Sequence, residues 1–115
     1  MDERFRPRHH IRRRSEFLRV YEHGRKVHGR LFTVFVLPTD LDTSRLGVSA
    51  TRKFGNAVQR NLAKRRIREI FRRHVPSPSC DVVVVPKSGL LDAHHSVVDQ
   101  EFQALLRRSS RPGRR

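Results

Sequence analysis

Asn56-Ala-Val-Gln-Arg-Asn-Leu-Ala-Lys-Arg-Arg-Ile-Arg-Glu-Ile-Phe-Arg-Arg-His74 reads as a helix with two unlike faces. Asn56 is a good N-cap, and Gln59 stands three residues on, where a capping-box partner belongs. On a 3.6-residue wheel Ala63, Ile67, Ile70, Phe71 and His74 gather on one side, while Asn61, Arg65, Arg68 and Arg72 fall on the other. Arg60 and Lys64 widen the basic face, and Pro76 and Pro78 end the helix. Strands are expected on both sides of it. Leu46, Val48 and Ala50 alternate with Gly47, Ser49 and Thr51, the period of a strand with one buried face, before Gly55 breaks the run. Leu31 to Leu37 is rich in β-branched and aromatic residues, and Pro38 to Ser44 is a turn-forming connection, so these two strands are expected to form a hairpin. After the helix, Asp81-Val-Val-Val-Val-Pro86 reads as a short strand buried on both faces.

Two further helices complete the pattern. Ser15 can cap a first helix in which Phe17 and Tyr21 stand at i and i+4, with Gly24 as its C-cap. A last helix starts near Ser96, with Val98, Phe102 and Leu105 as its apolar stripe. Residues 1–14 form a basic arm in which Ile11 is a possible anchor, residues 15–108 one domain, and residues 109–115 a basic tail. The expected fold class is α+β, a two-layer α/β sandwich with a small sheet of about four strands covered by helices, in the order αβββαβα.

Composition narrows the function. The 115 residues carry 26 Lys+Arg against 11 Asp+Glu, a net charge of +15, and only 36% are hydrophobic. One domain is expected at this length, burying about two thirds of its unfolded surface. The longest apolar runs, Leu31–Leu37 and Val82–Val85, fall short of the roughly 18 residues of a membrane span. The N-terminus has no apolar segment of a secretory signal, and a lone Cys80 suits a reducing compartment, so a cytoplasmic location is expected. The charge is also organised: residues 52–73 are net +8 with Glu69 as their one acid, whereas residues 74–106 are net −3. Like charges on one helical face repel by a few tenths of a kcal/mol per i,i+4 pair, and a bound polyanion reverses that sign. Nucleic acid is the expected partner.

Protein-borne catalysis is not expected. Of seven histidines, His9 and His10 lie in the arm, His94 and His95 precede a helix, and His74 ends an apolar stripe, and adjacent histidines seldom point the same way. Carboxylates are scattered, the Cys/His pairs of a zinc site are absent, and Gly55 alone makes no phosphate loop. Phe17 and Tyr21 could stack on unpaired bases or belong to the core, and spacing alone favours core.

The segment Arg52-Lys-Phe-Gly-Asn-Ala-Val-Gln-Arg-Asn-Leu-Ala-Lys-Arg-Arg-Ile-Arg-Glu69 resembles the signature of the bacterial ribonuclease P protein component, with Gly55, Ala57, Val58, Arg60, Asn61, Lys64, Arg65 and Arg68 matching. The resemblance extends through Phe17, Val20, Tyr21, Gly24 and Lys87 over roughly residues 8–108. It implies a non-catalytic subunit of a tRNA-processing endoribonuclease. Such a subunit binds a catalytic RNA and the 5′ leader of precursor tRNA, and the RNA removes the leader with Mg²⁺ that it mainly holds itself. No organic cofactor, metal-binding residue, membrane or obligate protein partner is implied. By the same resemblance, Arg52, Lys53, Asn56, Arg60, Asn61, Lys64, Arg65 and Arg68 contact the catalytic RNA. Phe17, Tyr21, Thr33 and Phe35 line a leader cleft with Arg52 and Lys87 at its rim, which reverses the core reading of the aromatic pair. A left-handed crossover around the basic helix is also implied, against the general right-handed rule. Pro86 before Lys87 and the Arg-rich tail depart from the family pattern. Two other readings compete: a general basic DNA- or RNA-binding or ribosomal protein, which leaves the Arg-Asn and Lys-Arg spacing a coincidence, and a self-sufficient nuclease, which requires an essential histidine.

Overall fold

The computed structural model describes residues 9–109, so residues 1–8 of the expected arm and 110–115 of the expected tail lie outside the described residues. Seven elements follow in order: α1 (Arg14–His23), β1 (Arg25–His28), β2 (Phe32–Pro38), β3 (Arg45–Val48), α2 (Ala57–Arg73), β4 (Cys80–Pro86) and α3 (His95–Ser109). This is the expected αβββαβα series, arranged as a four-stranded mixed sheet with helices on both faces.

The sheet order is β1-β2-β4-β3, which overturns the expected hairpin of β2 with β3. β2 pairs antiparallel with β1 and with β4, and β3 pairs with β4 in parallel through the α2 crossover. Burial explains the order. Val82, Val83 and Val84 are all fully buried, so both faces of β4 must be covered, as they are for an interior strand paired with β2 on one edge and β3 on the other. The four-residue β1, Arg-Lys-Val-His, escapes a periodicity reading because Val27 is its one apolar residue; charged side chains of this kind suit an edge strand.

Each face has its own core. Val34 and Val36 of β2, Val82 and Val84 of β4 and Leu46 of β3 point toward α2 and α3, where they meet Ile67, Ile70 and Phe71 from α2 and Val98, Phe102 and Leu105 from α3. Phe102 joins the two helices to the sheet, with its ring centroid 6.1 Å from that of Phe32 and 6.5 Å from that of Phe71. On the opposite face Phe35, Val83 and Val85 pack beneath α1 with Val20 and Ile11. Ile11 is 5% exposed and its N–H donates to Leu46 O at 2.9 Å, so the residues just before α1 belong to the folded domain rather than to a free arm.

The caps are partly as expected. Asn56 Oδ1 accepts from Gln59 N and Gln59 Oε1 from Asn56 N, both at 2.9 Å, the reciprocal box anticipated for α2. At α1, however, the helix starts one residue before Ser15, and Glu16 serves as the cap, accepting from the N–H groups of Arg12 and Arg13 at 3.3 Å each. A carboxylate there also complements the positive end of the helix dipole. Gly24 ends α1 in an extended conformation, with its N–H on Val20 O at 2.8 Å; a Cβ there would come within 2.5 Å of that oxygen, so close backbone approach accounts for the glycine.

Candidate nucleic-acid interface

The buried stripe of α2 fixes which of its cations face outward. Arg65, Arg68 and Arg72 are exposed and Lys64 half-exposed on the side away from the sheet, with Asn61 exposed among them. Arg52 and Lys53 are exposed in the turn that precedes the helix. Other members of the basic block have structural tasks. Arg60 Nη1 donates to Gly55 O at 2.7 Å and braces the loop, while Asn56 is committed to the cap. Arg66 Nη1 donates to Leu90 O and Ala93 O at 2.8 and 3.1 Å, tying α2 to the turn before α3. Arg73 pairs with Asp99 at 2.8 Å, and this hydrogen bond holds the Asp99 carboxyl below its ordinary range. The basic block is therefore two sets: side chains that hold the helix in place, and a solvent-facing row suited to phosphates.

The other face carries the aromatic residues. Tyr21 packs edge-on against Phe35 with ring centroids 4.9 Å apart, and Phe17 lies 6.4 Å from Tyr21. All three rings are half-buried, resting on Ile11, Val20 and Val83 with their outer sides open. The rings thus belong to the core on one side while the other side stays open. Lys26 Nζ stands 5.6 Å from the centre of the Phe35 ring, adding a cation above it. A cavity of about 360 Å³ opens beside the ledge, lined by Arg12, Arg14, Phe17, Leu18, Tyr21 and Val48–Ala50.

Two further expected cleft residues already have partners within the fold. Thr33 is 6% exposed, with its hydroxyl 3.4 Å from His28 Nδ1, so it backs the ledge rather than surfacing it. Lys87 Nζ donates to Gly29 O at 2.7 Å and braces the β1–β2 turn. Arg52 and Lys87 follow the C-terminal ends of the parallel neighbours β3 and β4, so both emerge at the same end of the sheet. Sequence reasoning missed Arg12, Arg14 and Lys26. The first two were legible only as arm charge, and Lys26 required knowing that β1 exists.

The histidines do not converge. His74 Nε2 binds Asp99 Oδ1 at 2.9 Å, and His94 Nδ1 accepts from Ser96 N at 3.2 Å at the start of α3. Contrary to expectation the His94 and His95 rings do lie together, with centroids 4.2 Å apart, because His94 turns back to cap the helix. Among the described residues no three His, Cys, Asp or Glu side chains gather as a metal site. Cys80 is buried, and burial pushes its thiol up to about 11. No helix among the described residues is long and apolar enough to cross a membrane.

The family model for ribonuclease P matches residues 5–110. The chain belongs to the ribonuclease P protein family. Its relatives include the ribonuclease P protein component of Syntrophus aciditrophicus, 40% identical over 98 residues that cover 84% of this chain and 82% of that protein. The component of Thermotoga maritima is 38% identical over 114 residues, covering 94% and 97%. Solved ribonuclease P proteins share the fold: that of Thermotoga maritima aligns with a TM-score of 0.78 at 34% identity over 90% of this chain and 98% of its own. That of Staphylococcus aureus aligns with a TM-score of 0.77 at 30% identity, covering 89% and 95%. Membership in the ribonuclease P family removes the coincidence that a general nucleic-acid binder would require of the α2 spacing.

Proposed function

We propose that this chain is the cytoplasmic protein subunit of ribonuclease P, binding the catalytic RNA with the outer face of α2 and the unpaired 5′ leader of precursor tRNA along the Phe17–Tyr21–Phe35 ledge. The half-exposed ledge carries the reading, because three rings resting on a fixed apolar base present faces to unpaired bases without needing to reorganise. Lys26, Arg52 and Lys87 supply positive charge around it, while Arg65, Arg68 and Arg72 meet the phosphates of the large RNA. Cleavage is assigned to the RNA and its Mg²⁺; this chain lowers the repulsion between leader and RNA phosphates and needs no acid, base or nucleophile of its own.

The test is binding of precursor tRNA and of leaderless tRNA to the reconstituted holoenzyme. Tyr21→Ala is expected to weaken the leader-bearing substrate by about 1–3 kcal/mol, the value of one stacked base, and to leave the leaderless one unchanged. Equal weakening of both substrates removes the leader from the ledge.

A further inference from the structure

The residues just before α1 are held more firmly than a basic arm requires. His10 makes a parallel bridge to Leu46 on the free edge of β3, and Ile11 N–H donates to Leu46 O at 2.9 Å. Next along the chain, Glu16 Oε1 takes the N–H groups of Arg12 and Arg13, and Glu16 Oε2 accepts from Arg45 Nη1 at 3.1 Å. Arg45 in turn grips Asp81 through Nε at 2.9 Å and Nη2 at 2.7 Å, and Asp81 is 2% exposed. Two strands and the start of α1 are thus tied at one guanidinium. Gly47 adds a steric condition: a Cβ there would lie 2.7 Å from the Phe17 ring and 3.2 Å from Ile11 Cβ.

Burial of Asp81 does not require this whole arrangement. The two-pronged Arg45 contact already satisfies that carboxylate. Glu16, with its side chain 32% exposed, adds little to stability as an ion partner. What it does fix is position, because one carboxylate joins the first turn of α1 to the sheet. That turn forms the wall of the 360 Å³ cavity on which Arg12 and Arg14 stand, with the rings of Phe17 and Tyr21 beside them and Val48–Ala50 opposite. The cavity is at the small end of ligand-sized clefts and combines rings with guanidinium groups, the two chemistries that a nucleotide's base and phosphate require.

Building on the leader reading of the ledge, we propose that Arg12 and Arg14 contact leader phosphate in this cavity, and that Glu16 and Arg45, with Gly47 beneath Phe17, are the positioning residues that hold them there. His10 carries the same segment along the edge of β3, where it bridges Leu46. The pre-α1 segment therefore runs along the edge of the sheet whose two faces carry α1 and α2.

The experiment is leader preference in the reconstituted holoenzyme, taken as the ratio of Kd for leaderless tRNA to Kd for precursor tRNA, together with the Kd of each variant for the ribonuclease P RNA. Glu16→Ala is expected to lower the preference, with affinity for the ribonuclease P RNA unchanged. Glu16→Gln keeps one acceptor oxygen for the N–H groups of Arg12 and Arg13 but loses the link to Arg45, and is expected to restore part of the preference. Gly47→Ala alters no charge and leaves Asp81 paired, yet is expected to lower the preference by displacing Phe17. The double variant Arg12→Ala, Arg14→Ala is expected to lower both the preference and its salt dependence. Wild-type preference in Glu16→Ala and Gly47→Ala, with Tyr21→Ala losing it, overturns this proposal and leaves the ledge reading standing. Wild-type preference in Tyr21→Ala as well overturns both.

Discussion

At the scale of single residues, the ion pairs Arg45–Asp81 and Arg73–Asp99 differ in kind and are expected to respond differently. Arg45 is the main partner of a fully buried Asp81, and its hydrogen bonds to that carboxylate raise its pKa above the ordinary arginine value. Arg45→Ala leaves a buried carboxylate without compensation and is expected to cost about 3–5 kcal/mol of stability in urea denaturation. Arg73→Ala, at a pair whose arginine is half-exposed, is expected to cost less than about 1 kcal/mol. Equal costs would contradict this assignment of the buried pair. Glu16 gives the pH dependence its sign. Burial alone would raise its carboxyl, but hydrogen bonds from Arg45 and from the backbone of Arg13 and Arg12 outweigh that and hold it below the ordinary value of 4.5. The folded pKa is depressed, so its contribution is complete above about pH 4.5 and is lost as the pH falls through the lower folded value. Asp99 acts in the same direction through Arg73. Thermal midpoints are expected to fall with acidification in this window, and less steeply in Glu16→Gln; a parallel decline in the variant would contradict the role given to Glu16.

At the scale of elements, α2 is the clearest case of structure written in sequence. Its capping box, its buried stripe of Ala63, Ile67, Ile70 and Phe71 and its stop at two prolines are all local signals, and all hold. β4 was equally plain, since a run of four valines has to be buried on both faces. What local signals could not give was strand order. The hairpin of β2 and β3 is the economical reading of two strands joined by a turn, but the valine-rich β4 inserts between them as the interior strand. The same limit hid other contacts: Lys26 reaches Phe35 because β1 exists, and Arg66 ties α2 to a turn 24 residues away. Sorting the basic block by structure yields a prediction. Arg65→Ala is expected to weaken RNA binding and flatten the slope of log affinity against log salt by about 0.7–0.9. Asn56→Ala, at a cap, is expected to cost about 1 kcal/mol of stability while leaving RNA affinity as it was. A loss of RNA affinity in folded Asn56→Ala would show that the side chain serves RNA contact as well as the cap.

At the scale of the whole molecule, the domain has a radius of gyration of 13.4 Å and extents of 37 × 35 × 29 Å. The Debye length at physiological salt is about 8 Å, so the net charge of +15 does not act as one charge. The α2 row and the aromatic ledge stand on opposite faces of one sheet. This arrangement suits a protein that brings a leader and a larger RNA together, and its benefit is expected to grow as divalent ions become scarce. The most direct measurement is cleavage of precursor tRNA at low Mg²⁺ with buffer, this protein, a bacterial ribonuclease P RNA, or protein and RNA together. Leader removal only when protein and RNA are combined is the expected result; cleavage by the protein alone, or equal cleavage by the RNA with and without it, would contradict the account.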